Sequence, residues 1–107
     1  MAKIEKSSGN VYADLGLPDA GEMLVKAQLA LNIARIVKRR RLTQKDTAGI
    51  MGLSQAKVSD MLRGRFRGIG EAKMLDCIAA LGNDIEIRVK PIRRHKTPGS
   101  ISVVFAG

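Results

Sequence analysis

Cysteine, histidine and aromatic residues are scarce in this chain of 107 residues. Its one cysteine, Cys77, cannot form an internal disulfide, and its one histidine, His95, lies in no sequence pattern that binds zinc. Two Phe, one Tyr and no Trp leave the hydrophobic core to aliphatic side chains. We therefore expect one small domain with an aliphatic core, no metal and no cofactor.

Long apolar runs are also absent. No run approaches the roughly 20 residues of a membrane-spanning helix, and the N-terminus lacks the basic-then-apolar layout of a signal peptide. The acidic residues show no paired spacing, no Cys/His pair lies near a candidate base, and no Gly-rich phosphate loop occurs. These absences predict a cytoplasmic protein with no membrane partner and no enzymatic activity.

Acidic residues are few, and the charge is unevenly distributed. The chain has 19 Lys and Arg against 10 Asp and Glu, for a net charge of +9. Residues 1–34 hold three cations and four acids, whereas residues 35–67 hold ten cations and two acids. A charge run is usually a solvated surface, but basic charge on both sides of a recognition motif favours a nucleic-acid partner.

Residues 42–64, LTQKDTAGIMGLSQAKVSDMLRG, show the pattern of two short helices joined by a tight turn. The Thr43 hydroxyl can cap the start of the first helix, and the second helix is expected to start at Ser54. Between them, Gly52 can adopt the positive φ that such a turn requires. The segment therefore predicts a helix-turn-helix, with an ordinary helical hairpin in a small bundle as the alternative. Its core is expected to consist of Ala48, Met51, Gly52, Val58, Met61 and Leu62.

The spacing TQ-x3-A-x3-G-x-SQ-x2-V-x5-G in this segment resembles the lambda-repressor-like (Xre) family of DNA-binding domains. Three further stretches within residues 11–90 are VYADLGLPDAGEMLVKAQLA, RGRFRG and ALGNDIEI. They resemble, more loosely, the HigA-like antitoxins, which are encoded beside a ribosome-dependent RNase toxin. The resemblance implies a mostly α fold: a lambda-repressor-like helical bundle with a helix-turn-helix and a short C-terminal β element shared across a dimer. Two residues depart from the pattern. Thr47 stands where the family usually has Leu or Val, and Gly49 costs about 1 kcal/mol inside a helix.

The residues before and after the motif complete the helical domain, which is expected at 18–82. Residues 1–17 lack periodicity and are expected to form a flexible N-terminal arm. A first helix should run from about Asp19 to Arg40, with Asp19 and Glu22 as a capping box, and a fourth from Glu71 to Leu81. The first helix has two apolar stripes, which either both pack internally or include a face for a second partner. One stripe comprises Leu24, Ala27, Leu31, Ala34 and Val37, and the other Leu29, Ile33 and Ile36.

The C-terminal region, residues 83–107, is expected to mediate dimerisation. Asp84–Lys90 alternates apolar and charged residues, which predicts a strand with one buried face. Its partner is either the same strand of a second copy, as the resemblance implies, or residues 101–105 of the same chain, and both pairings together are open. A basic loop, Arg93–Lys96, lies between the two segments. The dimerisation residues are expected to be Ile85, Ile87 and Val89.

Side chains on the second helix of the motif are the candidates for reading DNA bases. Gln55 is the first choice, because an amide can bond bidentately to adenine in the major groove. The resemblance implies that Gln44 contacts phosphate and braces Gln55. The expected base readers are Gln55, Ala56, Lys57 and Ser59, and the expected backbone contacts are Thr43, Gln44, Lys45, Arg63, Arg65 and Arg67. The role of Asp60 stays open, because a carboxylate near DNA must accept from cytosine or pair with Arg63 or Lys57.

Together these features predict a DNA-binding transcriptional repressor that acts as a homodimer on a palindromic operator in double-stranded DNA. The HigA-like resemblance implies that the repressor is also an antitoxin, with a cognate RNase-type toxin as a protein partner. Two alternatives stay open: a protein-binding antitoxin whose helix-turn-helix is vestigial, and an RNA-binding protein that uses the same basic surface.

Overall fold

The computed structural model of the chain describes residues 19–92 and 96–106. These residues form four α-helices and no strand: α1 is Ala20–Arg39, α2 is Gln44–Met51, α3 is Gln55–Leu62 and α4 is Glu71–Ala80. The mostly helical class predicted from the sequence is confirmed. None of the four helices is long and apolar enough to cross a membrane. The predicted arm at 1–17 and Arg93–His95 of the predicted basic loop lie outside the described residues.

Helix α1 packs against α3 and α4, and α2 packs against the same two helices. Leu29, Ile33 and Ile36 recur at helical spacing along one face of α1, and all three are buried. The opposing side chains are mostly aliphatic or methionine, with one aromatic ring from the loop after α3; they include Met51, Val58, Met61, Phe66, Met74 and Ile78. The core is therefore mostly aliphatic, as expected for a sequence with few aromatic residues.

The other apolar stripe of α1 is only partly covered. Leu31, at the centre of this stripe, is 51% exposed. A shallow groove of about 170 Å³ lies beside it, and its lining includes Ala27, Ala34, Leu62 and Phe66. Part of the second apolar face of α1 therefore remains open in the single chain.

The start of α1 differs from the predicted capping box. The Asp19 side chain caps no backbone amide; its carboxylate accepts a hydrogen bond from the Arg67 guanidinium. Glu22 instead forms an ion pair with Lys26 at 3.0 Å. A charged guanidinium makes a stronger hydrogen bond than a neutral amide. This one comes from a residue 48 positions along the chain, which a local capping pattern cannot reveal.

The two residues of α2 that depart from the Xre pattern differ in their surroundings. Thr47 is fully buried, and its hydroxyl donates to the Thr43 carbonyl at 2.8 Å, so the buried polar group is satisfied. Gly49 is exposed, and beyond its chain neighbours and the backbone of its own helix a Cβ placed on it would meet no atom within 4 Å. Packing therefore gives no reason for a glycine at position 49, where it lowers helix stability.

The segment predicted as a strand, Asp84–Lys90, does not form one in this single chain. It is not paired with residues 101–105 either. Instead, Val103 packs against the core, and its amide donates to Gln28 Oε1 on α1 at 3.3 Å. A strand without a neighbour leaves its backbone hydrogen-bonding groups unpaired. The alternating segment therefore stays irregular when no second copy is present.

Candidate nucleic-acid interface

The turn between α2 and α3 consists of Gly52, Leu53 and Ser54. Gly52 has φ 66°, in the left-handed region, where a side chain would be strained. The Leu53 amide then donates to the Ala48 carbonyl at 3.1 Å and closes the end of α2. This geometry lets the chain leave one helix and enter the next within three residues, which fixes the crossing of α2 and α3.

Both helices of the motif begin at a capping side chain. Thr43 Oγ1 accepts a hydrogen bond from the Asp46 amide at 3.0 Å, and Ser54 Oγ accepts one from the Lys57 amide at 3.2 Å. Each bond satisfies one of the backbone amides that a helix start leaves without a partner. The Ser54 cap sets the first residue of α3 as Gln55, so this side chain projects from the first turn.

The inner face of the motif is packed as a small core. Ala48, Met51, Val58 and Met61 are buried, and Leu62 is partly buried against them. Val58 and Met61 belong to α3, so they determine which side of this helix faces the protein. The opposite side of α3 is turned to solvent.

The outer face of α3 carries polar and small side chains. Gln55, Ala56 and Lys57 are exposed, whereas Ser59 is half-buried beside the core. Three of the four predicted base readers therefore project freely, and the fourth has a shorter reach. Asp60 is also exposed, and its carboxylate makes no hydrogen bond or ion pair with another described residue.

Cations and hydrogen-bonding side chains surround this face. The exposed members of the predicted backbone-contact set are Thr43, Gln44 and Lys45 around the start of α2, and Arg63, Arg65 and Arg67 in the loop after α3. Phe66 points the other way and is buried, while the arginines on either side of it reach water. The aromatic ring therefore anchors the loop and leaves its cations available to a polyanion.

The loop after α3 is hydrogen-bonded to a buried lysine of α1. Lys26 of α1 is only 3% exposed, and its Nζ donates to the Arg67 carbonyl at 2.8 Å. Glu22, one turn earlier, supplies the counter-charge. Sequence reasoning missed this contact, although a lysine within the apolar face of α1 and an acid four residues before it were visible signals.

Arg67 is less available than the other loop arginines. Its guanidinium is paired with the Asp19 carboxylate at the start of α1. A paired guanidinium must exchange its partner before it can bind a phosphate. The structure therefore places Arg67 in an ion pair, whereas Arg63 and Arg65 make no side-chain ion pair with another described residue.

Cys77 is buried and contributes no reactive group to the surface. Burial raises the pKa of its thiol, outweighing the opposing effect of nearby Lys73. The thiol therefore stays protonated at neutral pH, and a protonated thiol is neither a good nucleophile nor a metal ligand. Within residues 19–92 and 96–106, no three His, Cys, Asp or Glu side chains come together as a metal would need.

Comparison with known proteins agrees with this geometry. A family model described as a helix-turn-helix domain matches residues 11–90. A solved structure of a protein assigned to the XRE family of transcriptional regulators superposes with a TM-score of 0.75 at 32% identity. The match covers 83% of this chain and 100% of the other. The chain belongs to the XRE family of helix-turn-helix proteins. No curated protein matches this XRE-family chain.

We expect Asp19→Asn to strengthen the binding of duplex DNA by this XRE-family protein, because the change releases the Arg67 guanidinium. The dependence of affinity on salt should become steeper by up to about one unit of slope per protomer, as for one added phosphate contact. Folding stability should change by less than about 1 kcal/mol, because the Arg67 side chain is 60% exposed. Salt titrations and thermal unfolding measure the two effects.

Asp76→Asn is the matched control for this variant. It makes the same substitution and the same change in net charge, but Asp76 is exposed on α4 and forms no ion pair with another described residue, so the ion pair of Arg67 stays in place. Equal changes in salt slope for both variants would mean that net charge, and not the release of Arg67, is responsible.

Proposed function

We propose that this DNA-binding transcriptional regulator is a sequence-specific repressor that binds a palindromic operator as a homodimer. The observation that carries the proposal is the outer face of α3. This face is exposed and polar, its helix is capped by Ser54 and packed on the core by its inner side, and cations flank it in the sequence. A helix of this kind fits the major groove, where base edges present a distinct hydrogen-bonding pattern for each base pair.

Base reading is assigned to the N-terminal half of α3. The Gln55 amide can bond bidentately to adenine N6 and N7, and the small Ala56 side chain can meet a thymine methyl group. Lys57 reaches guanine or phosphate. Ser59 has a smaller share, because its side chain is half-buried and reaches only a nearby edge.

Backbone binding is assigned to the residues on either side of α3. Thr43, Gln44 and Lys45 lie around the N-terminus of α2, whose dipole also favours an anion. Arg63 and Arg65 extend from the loop that Phe66 anchors. These contacts set the orientation and salt dependence of binding, whereas the base contacts set its sequence preference.

Dimerisation is proposed through the C-terminal segment. Ile87 and Val89 are 77% and 89% exposed, and Ile85 lies in the same alternating row. Exposed apolar rows of this kind favour an interaction surface. Pairing of Asp84–Lys90 with the same segment of a second copy would satisfy the strand edge and cover this row. Two α3 helices related by a two-fold axis would then read half-sites about 10 bp apart, or a multiple of that distance.

We also propose that the repressor is an antitoxin that binds an RNase-type toxin. The HigA-like resemblance motivates this part of the proposal, and two features support a protein partner. The N-terminal third is slightly acidic, which suits a basic RNA-binding toxin. The apolar stripe around Leu31 is open on α1. The competing functions are protein binding alone with a vestigial helix-turn-helix, and RNA binding by the same cations.

Two single variants should distinguish base readout from electrostatic binding to the DNA backbone. Gln55→Ala should relax the preference at one base position per half-site, at a cost of about 1–3 kcal/mol, and keep the salt dependence. Arg65→Ala should weaken all sequences alike and lower the salt slope by about one unit per protomer. The assay is binding to a randomised duplex pool at two salt concentrations, with single-stranded RNA as competitor. If no palindromic motif is enriched, or if RNA competes equally, sequence-specific repression is wrong.

The wild-type protein should sediment at about twice 11.6 kDa. Ile87→Lys should shift it towards the monomer, because a charge on the apolar face opposes burial. Glu86→Gln makes the same change in net charge on the other face of the segment and should leave the dimer intact. A strict monomer at tens of micromolar, with and without DNA, contradicts the shared-strand arrangement.

Deletion of residues 1–17 should weaken toxin neutralisation more than operator binding, because these residues belong to the N-terminal third, which is the proposed toxin-binding part, and lie outside the helix-turn-helix. Co-expression with the product of the adjacent reading frame, followed by co-purification and growth assays, measures neutralisation. Operator binding by the truncated chain is the control. If no complex with that product forms, the antitoxin function fails and the repressor function stands.

A further inference from the structure

All four helices end in the same way. In each, the chain turns through one residue of positive φ, and the amide of the following residue donates to a carbonyl five residues earlier. The four amide–carbonyl pairs are Leu42–Val37, Leu53–Ala48, Arg65–Asp60 and Asn83–Ile78. The turning residues are Arg41, Gly52, Gly64 and Gly82. Three of the four helices therefore use glycine at this position, and α1 uses arginine.

Arg41 has φ 54°, and among the described residues it is the only one other than glycine with a positive φ. An arginine is strained there, because its Cβ crowds the backbone as a glycine would not. The neighbouring bonds are ordinary: the Arg41 amide donates to the Lys38 carbonyl at 3.1 Å, and the Leu42 amide to the Val37 carbonyl at 3.0 Å. The turn therefore requires a positive φ at position 41 but makes no use of the arginine side chain.

No described residue uses the Arg41 side chain. It is exposed, and its guanidinium makes no hydrogen bond or ion pair with another described residue. Its neighbour Arg40 differs: Nη1 of Arg40 donates to the Leu81 carbonyl at 2.9 Å and so ties α1 to the end of α4. Arg40 has a structural role, whereas Arg41 carries strain without a contact in the fold that would offset it.

Arg41 stands next to the proposed DNA surface. It lies two residues before Thr43, the cap of α2, so the two Cα atoms are at most about 7.6 Å apart. An extended arginine side chain at this position is long enough to reach the region of Gln44 and Lys45, to which backbone contact is assigned. We infer that Arg41 contacts the DNA backbone, and that an arginine occupies a glycine position because its charge serves binding. The inference rests on the proposed DNA-binding function and adds a phosphate contact to it.

Substitutions at position 41 separate the charge from the conformation. Arg41→Gly removes both the cation and the strain, so the melting temperature should rise by a few degrees, on the order of 4 °C, while the salt slope falls by about one per protomer. Arg41→Gln removes the cation and keeps the strain, so the slope should fall equally with little change in melting temperature. Arg41→Lys keeps the cation and should restore most of the affinity and the slope.

The measurements are operator binding from 50 to 200 mM salt and thermal unfolding of the four proteins. Over that range, the affinity advantage of the wild type over Arg41→Gln should shrink by about 3.5-fold for each guanidinium–phosphate pair that the substitution removes. If Arg41→Gly and Arg41→Gln bind with wild-type affinity and slope, the inference is wrong. If the wild type itself selects no DNA sequence from a randomised pool, the proposed function has failed, which is a separate result.

Discussion

The reversal of the chain at Gly52 is the constraint on which the rest of the domain depends. Because the reversal takes three residues, α2 and α3 must cross close to their junction, and their facing side chains must be small or flexible. Ala48, Met51 and Met61 meet that need and are buried. α1 and α4 then complete the core on the remaining sides. The outer face of α3 is exposed because the opposite face is committed to this packing.

A second constraint acts on the loop after α3. Phe66 enters the core, and Lys26 holds the Arg67 carbonyl from within the protein. An ammonium group 3% exposed is costly to bury unless its hydrogen bonds are satisfied, and both the carbonyl and Glu22 satisfy it. Breaking either interaction would leave a buried charge poorly paired. The loop that presents Arg63 and Arg65 is therefore coupled to the first turns of α1.

The sequence correctly predicted those features of the fold that depend on interactions between residues close together in the chain. Thr43 caps α2 and Gly52 turns the chain, because each acts on backbone groups only a few residues away. The capping box at Asp19 was wrong, because the Asp19 carboxylate binds Arg67, a residue 48 positions along the chain. The strand at Asp84–Lys90 did not form, because alternation shows which face is apolar but not where a partner strand comes from.

The sequence alone does not show which of the candidate site residues are exposed, because exposure depends on how the helices pack. The sequence makes Gln55 the first choice and includes Ser59 in the same set of base readers. In the structure Ser59 is half-buried, whereas Gln55 is exposed on the first turn of α3. The strained conformation of Arg41 has no sequence signal of its own, because it depends on where α1 stops.

The exposed row in Asp84–Lys90 has a consequence for solubility. A segment of alternating β-branched residues with a free edge is a template on which unrelated chains can assemble into aggregates. In this chain the intervening positions are Glu86, Arg88 and Lys90, and the first two form an exposed ion pair at 2.6 Å. Charges at these positions oppose indiscriminate stacking while leaving one specific pairing open. The same alternation that favours self-association thus also limits how far association can proceed.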